Sequence, residues 1–151
     1  MKRYFLFVLL MLLSESLYSQ EYVTGLEFSK DKYEAVMETV PLITRSVTSI
    51  PKRFSLKAYS PTPGNQGRQA SCVGWASGYG ARTIANAIKN DWKSNTTKIN
   101  QNTFSPSFIY NLIKFKGDVN CKRGSYIADA MKLLKTYGVL SLKDFGYNSG
   151  N

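Results

Sequence analysis

Residues 65–89, NQGRQASCVGWASGYGARTIANAIK, contain the side chains best suited to covalent chemistry in this chain. A loop with Gln66 and Gly67 leads to Cys72, where a helix is predicted to begin. Unpaired N–H groups at a helix start, together with the positive end of the helix dipole, favour a thiolate over a thiol. The Gln66 amide can reach the same place, so it and the backbone N–H of Cys72 could both donate to the oxyanion of an acyl-transfer intermediate. The spacing therefore predicts a nucleophilic cysteine beside an oxyanion site.

The alternative interpretation of Cys72 is an inert buried cysteine, because free cysteine is among the most buried residue types. The combination with Gln66, Gly67 and a helix start favours the nucleophile. These residues resemble the papain-like cysteine peptidases, particularly their bacterial branch, in which Gln-Gly precedes the nucleophile and Ser-Cys opens a long central helix. The sequence departs from the papain signature C-G-[SA]-C-[WY], because Gln69 and Ala70 replace its first Cys-Gly and Val73 replaces its aromatic residue. By this resemblance Cys72 is the nucleophile and Gln66 is the oxyanion glutamine.

The resemblance also implies a fold class and a substrate-binding strip. The expected fold is the α+β papain-like cysteine peptidase fold, truncated over residues 50–151 to the mainly helical half with the central cysteine-bearing helix. In the family, a Gly-Gly strip before a later helix pairs its backbone with the substrate peptide as an added strand. Gly124 matches the first glycine and Ser125 replaces the second, so the expected substrate-binding residues are Gly124, Ser125 and Tyr126. A simple turn glycine is the alternative for Gly124.

Apolar periodicity and capping signals predict three helices in this domain. Small apolar residues at helical spacing predict a buried helix from residue 71 to about residue 90. It contains three glycines that each cost about 1 kcal/mol relative to alanine unless close packing offsets them: Gly74, Gly78 and Gly80. Ser105 is predicted to cap a second helix with Pro106 at its first position. A third helix is expected over residues 127–137, ended by Gly138.

The N-terminus has the layout of a secretory signal peptide. Lys2 and Arg3 precede an apolar run over residues 4–13, and cleavage is expected after Ser19. The run is shorter than the roughly 20 residues that a membrane span requires. Residues 1–19 are therefore predicted as a signal peptide and residues 20–49 as an N-terminal extension or short leader. The protein is expected to be secreted or periplasmic, without a stable membrane anchor after cleavage.

The formal net charge of +10 is spread over the polar segments of the chain. A basic chain can bind nucleic acid, but no groove-reading motif or aromatic-basic platform accompanies the charge. A solvated basic surface is expected, with no nucleic-acid partner, no metal site and no cofactor. If Cys72 is the nucleophile, Cys121 is expected to be free or paired with another segment.

The 151 residues contain no histidine. Peptide cleavage needs a general acid for the leaving amine, and papain-like enzymes use a histidine oriented by asparagine. In that family the pair follows the cysteine by about 130–150 residues, which lies beyond residue 151. The predicted function is an exported papain-like cysteine peptidase acting on a peptide or protein substrate, present as an incomplete chain. Two alternatives stay open: a non-catalytic secreted peptide-binding module or decayed pseudo-peptidase, and a split enzyme whose C-terminal half is another chain.

Overall fold

The computed structural model of the chain describes residues 24–35 and 52–148. The helices in these residues are α1 (Lys30–Glu34), α2 (Cys72–Gly74), a π-helical segment (Trp75–Arg82), α3 (Thr83–Lys89), α4 (Thr96–Gln101), α5 (Pro106–Ile113) and α6 (Ile127–Thr136), with a 3₁₀ turn at Lys57–Tyr59. The predicted signal peptide, residues 1–19, and most of the predicted leader, residues 20–49, lie outside the described residues.

The predicted α+β fold class, and with it the papain-like fold, is wrong for the part of the chain that the structure describes. Its regular structure is helical, and β pairing is limited to two isolated bridges, Leu26 with Ser125 and Phe104 with Ser141. Neither bridge can extend into a ladder, because helices begin within a few residues of each one. Pro106 starts α5 just after the second bridge, and Tyr126 is the N-cap of α6 just after the first.

α2, the π-helical segment and α3 form one continuous helix over residues 72–89, here called the central helix. The predicted helix at this place is therefore confirmed, but its π-helical middle was not anticipated. α5 crosses the central helix at its glycines, where a side chain would not fit. A Cβ atom at Gly74 would lie 2.4 Å from the carbonyl oxygen of Pro106, and one at Gly78 would lie 2.7 Å from Cδ1 of Ile109. Close backbone approach is what offsets the helix cost of these glycines.

α5 and α6 complete the small core against the start of the central helix. The hydroxyl of Ser105 accepts a hydrogen bond from the Phe108 N–H at 3.1 Å, and Pro106 occupies the first helical turn, so the predicted cap is confirmed. Val73, Ile109 and Ala130 are buried together, one from each helix. Five partly buried apolar residues surround them: Phe108, Ile113, Leu133, Leu134 and Val139.

The segment after α6 returns to the start of the central helix. α6 ends at a left-handed glycine, Gly138 with φ 78°, as its sequence predicts. The next residues pair with the strand-like residues before α5: the Ser105 N–H donates to the carbonyl of Leu140, and the Leu142 N–H donates to that of Thr103. This pairing directs residues 143–148 toward the cysteine loop. Within residues 24–35 and 52–148, no helix has the length and apolar character needed to cross a membrane.

Replacing Gly74 by alanine tests the packing of the central helix. We expect Gly74→Ala to lower the free energy of unfolding by about 1–3 kcal/mol, because the obstructing Pro106 atoms are backbone and cannot rotate away. Gly80→Ala is the matched control, since its Cβ would meet only the Trp75 carbonyl oxygen, at 3.4 Å. That control should be neutral or stabilising by up to about 1 kcal/mol. Denaturant titration measures both, and equal effects of the two variants would contradict the close packing.

Candidate functional site

The loop before Cys72 is shaped by a side-chain turn and a left-handed glycine. Asn65 Oδ1 accepts a hydrogen bond from the Gly67 N–H at 2.8 Å, and Gly67 has a φ of 63°. A short polar side chain that bonds to the backbone two residues later is the usual way to stabilise such a turn. On the other side of the turn, Gly64 lies against the ring of Trp75, where a Cβ would come within 2.4 Å of the indole. The turn therefore directs the side chain of Gln66 back toward the start of the central helix.

The side-chain amide of Gln66 is hydrogen-bonded to the Cys72 sulfur. Its Nε2 donates to Sγ at 3.0 Å and to the carbonyl of Gln69 at 2.7 Å, which fixes the orientation of the amide. Cys72 is the first residue of the central helix, so its backbone N–H precedes the helical ladder and has no intrahelical acceptor. A side-chain N–H and a backbone N–H therefore flank one half-buried thiol. Both can donate to negative charge that forms on an atom bonded to this sulfur.

A segment from the N-terminal part of the chain lies over the same thiol. The Gly25 N–H donates to Cys72 Sγ at 3.3 Å. Gly25 is buried, and a Cβ there would lie 2.6 Å from both the Ala70 carbonyl oxygen and the Cys72 nitrogen. Because these obstructing atoms are backbone, only glycine fits this closely above the helix start.

Gly25 also joins the thiol to the strip predicted to bind substrate. Ser125 donates its N–H to the Gly25 carbonyl and accepts from the Glu27 N–H, each at 3.0 Å, so the two backbones pair in parallel. Gly124 permits this approach, because a Cβ there would lie 2.7 Å from the carbonyl carbon of Gly25. Ser125 therefore holds an extended segment of the same chain, residues 25–27, through backbone hydrogen bonds.

Charged contacts hold the rest of the N-terminal segment beside α6. Lys32, in α1, pairs with Asp129 at 2.8 Å, and its ammonium lies 3.9 Å from the ring centroid of Tyr126. Both partners of the ion pair are substantially exposed, so the pair contributes no more than about 1 kcal/mol. The segment is thus held by two backbone hydrogen bonds to Ser125, by the Gly25 hydrogen bond to the sulfur and by the exposed contacts of Lys32.

A turn centred on Asp118 immediately precedes Gly124, Ser125 and Tyr126 in the chain. The Asp118 carboxylate accepts from the N–H groups of Lys122 and Arg123, each at 3.1 Å. Although partial desolvation opposes the shift, these bonds lower the pKa of Asp118 below its usual value. The one hydroxyl hydrogen of Tyr110 is shared between the Asp118 carboxylate and the Arg123 carbonyl. Burial, followed by the nearby Asp118 charge, raises the pKa of Tyr110 above its usual value.

The same turn positions the second cysteine. Cys121 adopts a left-handed φ of 52°, and its carbonyl accepts from the Ala70 N–H at 2.9 Å. Both cysteines are free, and Cys121 Sγ accepts from the ammonium of Lys114 at 3.4 Å. The turn is therefore bonded directly to the loop that leads to Cys72.

The structure brings Cys72 and Gln66 together, and it places Gly124 and Ser125 one peptide strand away from them. Tyr126 lies farther along and contacts Lys32 rather than the thiol. Sequence reasoning assigned no role to Gly25 or to Tyr147, whose hydroxyl contacts the Gln66 carbonyl. No local pattern marks Gly25, an isolated glycine in a mixed segment.

Comparisons of the chain with protein-family models, with curated proteins and with solved structures found no match. The geometry of the site therefore carries the functional argument.

Releasing the N-terminal segment should expose the thiol. We expect Gly25→Ala to raise the rate of Cys72 alkylation by iodoacetamide about threefold or more, because its Cβ forces the segment away from fixed backbone and increases the accessible fraction. Mass spectrometry of the Cys72 peptide measures the rate.

Gly146→Ala is the control, since a Cβ at this exposed position meets no atom within 4 Å. Alkylation of Cys121 in the same sample gives an internal reference. An unchanged or slower Cys72 rate in a folded Gly25→Ala protein would show that the segment does not shield the sulfur.

Proposed function

We propose that Cys72 is the nucleophile and Gln66 an oxyanion donor of a cysteine peptidase. The observation that carries the proposal is the 3.0 Å hydrogen bond from Gln66 Nε2 to Cys72 Sγ at the start of the central helix. An inert structural cysteine has no need of an amide held in place by a second hydrogen bond, here to the Gln69 carbonyl. The proposal concerns the site chemistry and implies no particular fold family.

The chemistry begins when the Cys72 sulfur attacks a substrate carbonyl carbon. A C–S bond forms, the carbonyl π electrons move onto oxygen, and the thiol proton passes to solvent or to a base. The Gln66 amide and the Cys72 N–H then donate to that oxygen in the tetrahedral intermediate. Collapse of the intermediate breaks the bond to the leaving group, which departs with its electron pair, and leaves a thioester on Cys72.

Substrate is proposed to bind as an extended strand along Gly124, Ser125 and Tyr126. The support is the parallel pairing of residues 25–27 with Ser125, in which the backbone of Ser125 already bonds to an extended segment near the thiol. Main-chain pairing gives affinity with little dependence on substrate sequence. In this arrangement the N-terminal segment competes with substrate for the same edge.

Cleavage of a peptide bond requires an acid for the leaving amine, and these 151 residues contain no histidine. The complete peptidase therefore takes its histidine from outside this sequence, on a further segment or a second chain. The signal-peptide pattern at the N-terminus extends the proposal to an exported enzyme. The second candidate is a secreted peptide-binding module without catalysis, which the same strand pairing at Ser125 favours.

Acylation by p-nitrophenyl acetate tests the proposal, because nitrophenolate leaves without needing an acid. We expect Cys72 to acylate, and Gln66→Ala to slow acylation on the order of a hundredfold, the usual effect of losing an oxyanion donor. Alkylation by iodoacetamide passes through no oxyanion, so Gln66→Ala should slow it by only about tenfold or less, the usual effect of losing one hydrogen bond between neutral groups. The measured quantity is the ratio of the acylation rate to the alkylation rate, compared between the parent protein and Gln66→Ala.

Gln101→Ala, at an exposed glutamine in α4, is the matched control and should change neither rate. Acylation that survives Cys72→Ala, or equal slowing of both reactions by Gln66→Ala, would refute the oxyanion role. The binding-module candidate predicts that Gln66→Ala has no selective effect on acylation.

A further inference from the structure

We infer that Tyr147 is a positioning residue that fixes the oxyanion site through its hydroxyl. The inference rests on the proposed function, since it assigns a role within the same site. The hydroxyl of Tyr147 bonds to Ser71 and to the Gln66 carbonyl rather than to the sulfur. It acts on the two parts of the chain that supply the oxyanion donors.

The Tyr147 hydroxyl joins the loop to the helix start. It donates to the Gln66 carbonyl at 2.7 Å and lies 2.8 Å from Oγ of Ser71. Because the phenol hydrogen is used on the carbonyl, the Ser71 hydroxyl is the donor in the second bond. Ser71 is fully buried and immediately precedes Cys72. One oxygen atom therefore sets the distance between the backbone of Gln66 and the backbone at Cys72.

The ring of Tyr147 is held in place by aromatic packing. It packs edge to face on Trp75, with ring centroids 4.9 Å apart, and Trp75 in turn packs against Tyr79 in a tilted arrangement with centroids 4.8 Å apart. Such pairs contribute about 0.5–1.5 kcal/mol beyond the area that they bury. The indole also contacts Gly64 at the start of the loop. The ring can therefore stay in place without its hydroxyl, which separates positioning from packing experimentally.

Asn148, the residue after Tyr147, adds a second hydrogen bond between the end of the described chain and the loop before Cys72. Gln69 Nε2 donates to the Asn148 carbonyl at 3.4 Å, and the Gln69 carbonyl is the second acceptor of the Gln66 amide. Residues 147–148 thus contact both the backbone of Gln66 and the residue that orients its side chain. A displacement of about 1 Å at a reacting group can lower a rate about a hundredfold, so small shifts here have measurable consequences.

The test is a double-mutant cycle of Tyr147→Phe with Gln66→Ala in the full chain, read out with p-nitrophenyl acetate and iodoacetamide. We expect Tyr147→Phe to slow acylation of Cys72 about tenfold and to change its alkylation by less than about twofold, because only acylation passes through an oxyanion. In the Gln66→Ala background, Tyr147→Phe should have a clearly smaller effect on acylation, since the amide that it positions is gone and only the Cys72 N–H is left. Tyr137→Phe, at a side chain that is 80% exposed, is the control.

An unchanged acylation rate in Tyr147→Phe, equal slowing of both reactions, or a full effect that persists without the Gln66 amide would overturn the positioning role. If Tyr147→Phe does not fold, Ser71→Ala tests the other end of the same bond and should slow acylation selectively, by about threefold; no selective loss would also overturn it. Failure of the proposed function is distinguishable, because acylation would then be independent of Gln66 in the parent protein.

Discussion

The hydrogen bond between the Gln66 amide and the Cys72 sulfur is the interaction on which the arrangement of the site depends. The loop turns at Gly67 so that the Gln66 amide reaches the sulfur, and the helix begins at Cys72, so the backbone N–H of this residue has no intrahelical acceptor. Neither feature alone distinguishes a reactive thiol from a buried one. Together they place two donors around one sulfur, which is the arrangement that acyl transfer requires.

The site is assembled largely from backbone, and glycines make this possible. Gly74 lets α5 press its carbonyl against the central helix, which holds the start of that helix in place. Gly25 and Gly124 let two extended backbone segments approach each other closely beside the thiol, so that Ser125 pairs through its main chain. Because backbone donors and acceptors are fixed by the fold, they need little reorganisation on binding, which is the physical basis of the proposed exchange of the N-terminal segment for substrate.

Local signals in the sequence predicted the local structure well. The Ser105 cap, the first-turn Pro106 and the terminating Gly138 are each determined within a few residues, and the structure contains all three. The α+β fold class was inferred from a resemblance of short motifs, and the described residues do not support it. The contacts of Gly25 and Tyr147 join residues 47 and 81 positions apart, and no helical or strand period encodes such pairs. The periodicity of apolar residues also does not reveal the π-helical segment of the central helix.

The chain contains an internal reference for the central claim, because Cys121 is a second free cysteine beside a cation and has no glutamine amide at its sulfur in the described structure. The most direct measurement is to treat the intact protein briefly with p-nitrophenyl acetate and to locate the acetyl thioester by peptide mass spectrometry. An oxyanion site at Cys72 predicts acetylation of Cys72 well ahead of Cys121, by a larger margin than iodoacetamide shows between the same two residues. Equal acetylation of both cysteines, or preferential acetylation of Cys121, would contradict the claim that Gln66 and the helix start form a site for acyl transfer.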